Sequence, residues 1–304
     1  MAVMSNELAE TCWMGLRMGH PADWELAIYS GPEQPGRCVF ADRHFHRLDV
    51  RWRALRYVPN LDLILTNHLA KSDKQMPAAP AEGLPPEWLG LVRKTPEGRI
   101  LHAGRFFRAQ RLLIEATVIW PGRRDRGLEN AILSSMEVQD PQAPVRQWQA
   151  MGLSLSLGSD FQLVESESNV GQLRLGFRTA GREPTTLSVE RLAMPDVWLK
   201  QPLRDWLAGD GLPQGYRILR QEMAMYNNHR GERLIASARA GTVSALRGRR
   251  KVRLDLAWQC PVENRLYRIS LMEVTIARET TLPGSLAVRC CQRPPVIGAP
   301  RVSG

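Results

Sequence analysis

Lysine is nearly missing from this chain, with five residues against 36 arginines in 304. Cysteine is scarce too: Cys12, Cys38, Cys260, Cys290 and Cys291 are odd in number and irregular in spacing. That usage excludes a disulfide framework and predicts free thiols in a reducing compartment. No apolar run reaches the roughly 18 residues needed to span a bilayer, so no membrane span is expected. The opening MAVMSNELAETCW lacks the basic start and apolar core of a secretory signal. Both features point to the cytoplasm.

Catalytic signatures are also missing. There is no GxxxxGK phosphate loop, no GxSxG elbow and no HExxH zinc helix. Gly209, Gly211 and Gly215 follow a short helical segment rather than a strand, which is wrong for a dinucleotide loop and reads as a turn. No cofactor is expected, and the chain reads as a non-enzyme.

What is present begins with 43% apolar residues, enough for a core in each of about two domains of roughly 150 residues. Period-two alternation dominates. Val252, Leu254, Leu256 and Trp258 alternate with Lys251, Arg253 and Asp255, and Ile114, Ala116, Val118 and Trp120 with Glu115 and Thr117. The same pattern recurs at Leu48, Val50 and Trp52 and at Leu173, Leu175 and Phe177. It predicts half-buried antiparallel strands with one wet face each. Trp24, Trp52, Trp120 and Trp258 read as core. Helical spacing is confined to 60–74, behind a Pro59-Asn60 start, and to a short segment from Pro202 closed by Gly209. Between them Met76–Glu87, with four prolines in twelve residues, reads as a loop.

The chain also resembles itself. Residues 16–26 align with 153–163, Gly36–Phe40 with Gly171–Leu175, and Leu48 and Val50 with Leu187 and Val189. Further on, Trp120 meets Trp258, and Ser134–Val138 meets Ser270–Val274. Collinearity over five segments predicts a tandem duplication broken at 139–144, with domains at 10–140 and 145–292 and a flexible tail at 293–304.

The element order, with Pro21-Ala-Asp-Trp24 and Gly158-Ser-Asp-Phe161 turns, Phe40 in a strand and a closing Leu266-Tyr-Arg-Ile269 strand, resembles the Mog1/PsbP family. The resemblance implies an α+β fold in each domain, a mainly antiparallel sheet with one or two packed helices. It also implies a non-catalytic module acting through partners.

Few residues suggest chemistry. Cys290 and Cys291 are adjacent, and neighbours in an extended segment point to opposite sides, so they are not expected to share a metal ion. His44 and His46 share a strand face and would need Asp42 as a third ligand, but Arg43 and Arg47 would repel a cation. His229, in a polar turn, shows no carboxylate partner. No metal site is assigned.

Charge is the signal with substance. The formal net charge is +10. Arg247, Arg249, Arg250, Lys251 and Arg253 form one cluster, Arg123, Arg124 and Arg126 a second, and four arginines lie between Arg43 and Arg53. These clusters point to a basic patch for an anionic partner, most simply an acidic protein surface. A nucleic acid gripped by the hairpins at 122–126 and 247–253 is the second reading, although no run of strand aromatics accompanies the charge. An enzyme with a dispersed site at the domain junction is the third. Trp88, beside the proline loop, anchors a partner if exposed and pins the loop if buried.

Overall fold

The computed structural model describes residues 8–72, 78–96, 98–209, 212–239, 248–275 and 280–291. The chain divides into two compact units, one running to residue 143 and taking in 149–151, the other comprising 144–148 and the described residues from 152 onward. The predicted tail at 293–304 and Arg247 lie outside the described residues, as do residues 210 and 211 of the glycine turn and 76 and 77 of the proline loop.

The first unit opens on a hairpin of β1 (Leu8–Trp13) and β2 (Leu16–Pro21). Its turn places Met14 and Gly15 at φ 47° and 82°, the left-handed pair that matches the twist of a two-residue hairpin. Next come β3 (Glu25–Tyr29), β4 (Gly36–Ala41), β5 (His46–Ala54), α1 (Leu61–Ser72), β6 (Ala78–Pro80), β7 (Leu89–Thr95), β8 (Gly98–Phe107) and β9 (Leu112–Trp120). Helix α2 (Arg126–Ser134) and β10 (Glu137–Val138) close the unit. Strands β3 to β9 form one antiparallel sheet in the order β3-β4-β5-β9-β8-β7-β6. The third strand of the run therefore pairs with the last, Val50 opposite Ala116 and Trp52 opposite Ile114. Strand β10 returns to pair with β2.

Strand β11 (Val145–Ala150) is shared between the units, its first four residues belonging to the second, which continues with β12 (Leu153–Gly158), β13 (Phe161–Asn169), β14 (Gln172–Thr179) and β15 (Thr186–Ala193). Short helices α3 (Pro195–Trp198) and α4 (Leu203–Ala208) precede β16 (Arg217–Tyr226), β17 (His229–Arg239), β18 (Arg250–Cys260), β19 (Arg265–Thr275) and β20 (Ala287–Arg289). The sheet order is β13-β14-β15-β19-β18-β17-β16, the same arrangement as in the first unit. Val189 lies opposite Ile269, β20 pairs with β12, and the turn between β11 and β12 is again a left-handed Met-Gly pair, Met151 and Gly152 at φ 48° and 74°.

This order sorts the five aligned segments. The first three fall on corresponding strands: β2–β3 on β12–β13, β4 on β14, and β5 on β15. The last two do not. Trp120 ends β9, the strand paired with β5, whereas Trp258 lies in β18, the counterpart of β8. Ser134–Val138 spans the end of α2 and β10, whereas Ser270–Val274 lies inside β19. Alternating apolar residues occur in every central strand, so such a pattern matches strands that are not equivalent.

The α+β expectation is corrected: among the described residues the structure is about 56% strand and 10% helix, a mostly-β fold. The physical reason lies in the helices. Helix α1 starts where Asn60 predicts, its side chain accepting the Leu63 N–H at 3.0 Å, yet within 61–67 only Leu65 is buried. The α3 helix has four residues and α4 six. None makes a layer. The proline loop also contributes a three-residue edge strand, β6, whose Pro80 blunts that edge.

The alternating strands stand where periodicity puts them, and Trp24, Trp52, Trp120 and Trp258 are buried. The wet face predicted for the strand around 252–258 is a correction, because Asp255 and Ala257 on that face are also fully buried. Trp206 and Leu207 of α4 pack there against Leu234, Ala236 and Ala257. Asp255 is tolerated because its carboxylate is saturated. Arg253 Nε donates to Oδ2 at 2.6 Å, Arg268 Nη2 donates to Oδ1 at 3.0 Å, and the Ser270 hydroxyl donates to Oδ1. The Arg268 guanidinium in turn lies 5.6 Å from the Trp206 ring centroid.

Asp255→Ala would take from Arg253 its carboxylate partner and leave the largely buried Arg268 with the 4.0 Å contact to Glu190, and its expected cost is about 3–5 kcal/mol. Urea unfolding of wild type and variant measures it; a loss below about 1 kcal/mol would contradict this account of the network. In the first unit, burial raises the Asp49 carboxyl, but hydrogen bonds from Arg37 and Arg51 outweigh it and hold the group below its usual 3.8. The folded form therefore releases its proton more readily than the unfolded one. Its contribution is complete above the unfolded value and is lost as pH falls through the folded value. Asp49→Asn should flatten the loss of stability between neutrality and about pH 3, read from urea midpoints along a pH series. An unaltered slope would count against the pairing.

Candidate functional site

The arginine clusters do not act as uniform patches. In the first, Arg124 is a structural residue. Its Nε donates to both oxygens of Glu129, at 2.8 and 2.7 Å, and Glu129, fully buried, also accepts the Trp120 indole N–H at 2.7 Å. Asp125 caps α2 by accepting the Leu128 N–H at 2.9 Å. Arg123 and Arg126, on either side, are exposed.

Arg123 faces a cavity made by two connections. One is the β7–β8 turn, where Thr95 pairs with Gly98. The other is the exit from β9 through Pro121 and Gly122. Gly98 has φ 151°, and a Cβ there would sit 1.9 Å from the Trp120 carbonyl oxygen, so only glycine lets the turn close on the end of β9. The resulting cavity measures about 390 Å³ and is lined by Lys94, Arg99 and Arg123 together with Thr95, Pro96 and Gly122. All three cations are exposed, and none makes an ion pair among the described residues. No carboxylate, imidazole or thiol lines the cavity among them; Glu97 lies outside. The arrangement can bind an anionic group but holds no acid–base pair. Lys94 and Arg99, which complete the site, were not singled out from sequence, because only the β-turn brings them to Arg123.

Two of the four described cations of the second cluster are ion-paired. Arg249 is ion-paired with Glu183 and Arg253 with Asp255, leaving Lys251 exposed and Arg250 half-buried. Trp88 is 5% exposed, so it pins its loop and is corrected as a partner anchor. Asp42 accepts the backbone N–H groups of His44 and Phe45, both at 2.7 Å, and pairs with Arg47 at 3.0 Å. That carboxylate stabilises its own loop, and the His44–His46 pair gains no third ligand from it.

A second cluster of groups went unrecognised in sequence. His229, Cys260, Cys290 and Cys291 bring their donor atoms within 4.8 Å of one another in the second unit. The β17–β18 register, with Gly231 opposite Trp258, carries His229 alongside Cys260. The opposed directions expected of Cys290 and Cys291 are corrected by one angle: Cys291 has φ 62°, and this left-handed residue breaks the extended alternation and turns both thiols to the same side. His229 Nε2 and the Cys260 sulfur each lie 3.0 Å from the Cys291 sulfur. The long connection between β17 and β18 hid the His229–Cys260 pairing from sequence, and the left-handed Cys291 left no sign either.

No family model matches the chain, and no curated protein matches it. With no such match, and with a mostly-β fold in place of a sheet covered by helices, the resemblance to the Mog1/PsbP family is withdrawn; element order and a few aromatics carried it, and many antiparallel sheets share both. Among solved structures, similarity is found to the immunity protein TplEi of T6SS from Pseudomonas aeruginosa complexed with "L" peptide, at 12% identity, covering 92% of this chain and 91% of that one, TM-score 0.38. The apo structure of that immunity protein gives 10% identity, 91% and 90% coverage and TM-score 0.32. The Tle4-Tli4 complex gives 12% identity, 92% and 89% coverage and TM-score 0.34. Likeness at these scores carries no argument for a shared fold or role.

Two neighbouring arginines separate the structural from the surface role. Arg124→Ala leaves Glu129 buried and short of its cation, and should cost about 3 kcal/mol, whereas Arg123→Ala should fall within about 0.5 kcal/mol of wild type. Thermal unfolding of the two variants checks this, and equal losses would contradict the assignment.

Proposed function

We propose that this chain is a non-catalytic protein-binding module, a tandem copy of one β unit, whose first copy takes an acidic segment of a partner protein into the cavity between Lys94, Arg99 and Arg123. The observation that carries the reading is the convergence of three cations, without carboxylate partners among the described residues, on one concave surface. Such a surface carries a positive potential that attracts an anionic partner and steers its approach. The second copy favours a polypeptide over a nucleic acid as that partner. Its edge strand β16 exposes Leu219, Met223 and Met225, and an apolar sheet edge with adaptable methionines suits an added strand. No aromatic ring lines the basic cavity, so bases would have nothing to stack on there. Free thiols at all five cysteines suit a reducing compartment, and the cytoplasm is where this reading places the protein.

A fluorescently labelled polyglutamate peptide is the direct probe. Fluorescence anisotropy should show salt-sensitive binding that weakens about tenfold in the Arg99→Ala/Arg123→Ala double variant. Arg178→Ala, removing an exposed arginine on β14, should bind like wild type. Preference for duplex DNA over the peptide would overturn the protein-partner reading, and unchanged peptide affinity in the double variant would remove the cavity from it.

A further inference from the structure

The geometry points to a zinc-binding site in the second unit, formed by the His229 imidazole and the thiolates of Cys260, Cys290 and Cys291. Four ligands around a tetrahedral zinc ion, at about 2.3 Å for sulfur and 2.0–2.1 Å for nitrogen, stand less than about 4 Å apart. Here all four donor atoms lie within 4.8 Å of one another, with the closest contacts at 3.0 Å. Opening the two 3.0 Å contacts of Cys291 brings them toward the spacing of a tetrahedral site. Three sulfurs and one imidazole form a soft donor set that suits zinc and excludes magnesium or calcium.

Hydrogen bonds around the cluster hold it in place without a metal. The Asn227 side-chain amide donates to the Val288 carbonyl at 2.5 Å, and the Val288 N–H donates to the Tyr226 hydroxyl at 2.9 Å. These bonds hold the end of β20 against the β16–β17 turn, so the cysteines that follow arrive beside His229. The left-handed backbone of Cys291, uncommon for a residue with a Cβ, is fixed by its N–H, which donates to Glu263 Oε1 at 2.8 Å. Glu263 is held in turn by the Tyr267 hydroxyl. Cys260 and Cys290 are buried while Cys291 is exposed, which gives an ion one side of entry.

Binding must displace protons. A cysteine binds zinc as its thiolate, so each thiol gives up its proton on loading. Loading one Zn²⁺ on three thiols and a neutral imidazole releases three protons to solvent and leaves a site of net charge −1. The buried Trp258 indole N–H reaches the Cys290 sulfur, the kind of outer partner that metal thiolates take. The competing fate is oxidation of Cys260 and Cys291 to a disulfide, which removes two electrons and two protons and needs an external oxidant.

The test uses the intact chain purified under reducing conditions. Elemental analysis should find about one zinc per chain, and cobalt(II) exchanged into the site should show the thiolate charge-transfer and intense visible bands of a tetrahedral sulfur site. Cys291→Ser and His229→Ala, both at accessible positions, should each lower zinc to well below half occupancy while the chain stays folded by circular dichroism. Should the buried Cys260→Ser variant fail to fold, thiol titration of wild type still decides: Cys291 should be shielded in the zinc form and reactive after chelation. Folded wild-type chain that takes up no zinc, zinc retained by the His229→Ala/Cys291→Ser double variant, or an intact mass showing a Cys260–Cys291 disulfide in the reduced preparation would each overturn the assignment.

Discussion

Each unit depends on one long-range pairing, that of the third strand of its sheet with the last: β5 with β9, and β15 with β19. All other neighbours within the two seven-stranded sheets are consecutive in sequence and form by hairpin closure. The closing pairs alone span an intervening stretch of chain, so they carry most of the loop-closure entropy and reward it with the most buried positions. Val50, Val189 and Ile269 are fully buried, and Ala116 nearly so. The return of β10 to β2 and of β20 to β12 follows the same logic, since the chain leaving the last strand comes back to the hairpin that opened the unit. That return sets both candidate sites. It carries Pro121–Arg123 past the β7–β8 turn in one unit and Cys290–Cys291 past the β16–β17 turn in the other.

Charge is deployed more economically than composition suggests. A chain with 36 arginines reads as broadly basic, yet many of these side chains lie across strands from a carboxylate. Arg37 and Arg51 hold Asp49, Arg124 holds Glu129, and Arg253 and Arg268 hold Asp255. Those at Glu129 and Asp255 are interior pairs, where removal of one partner costs far more than the pair itself contributes. What distinguishes the cavity in the first unit is therefore not the density of positive charge but that, among the described residues, no carboxylate lines it.

The local elements were legible because period-two alternation is written directly into β5, β9, β14 and β18, and the Asn60 cap into α1. What alternation does not encode is the cover on a strand's second face. Asp255 reads as a wet position in sequence, yet it lies on the face where Trp206 and Leu207 pack against Leu234, Ala236 and Ala257 and is fully buried. The same blindness misaligned Trp120 with Trp258, since two buried tryptophans at the ends of apolar strands look alike until pairing order separates them. Of the sites, Arg123 was visible as part of a charged run. Lys94 and Arg99 were not, because their approach depends on a glycine at φ 151°. The thiol cluster was hidden by a single left-handed residue, Cys291, that overrides the rule that neighbours in an extended chain diverge.

Residue-resolved amide hydrogen exchange of the intact chain tests the closing pairs most directly, since the slowest amides mark the elements that open only when the whole unit does. The account predicts two separate sets of slowest amides, one on β5 and β9 and one on β15 and β19, with exchange growing faster toward β3 and β6 and toward β13 and β16. Greatest protection on those edge strands, or a protected core in only one of the two units, would contradict it.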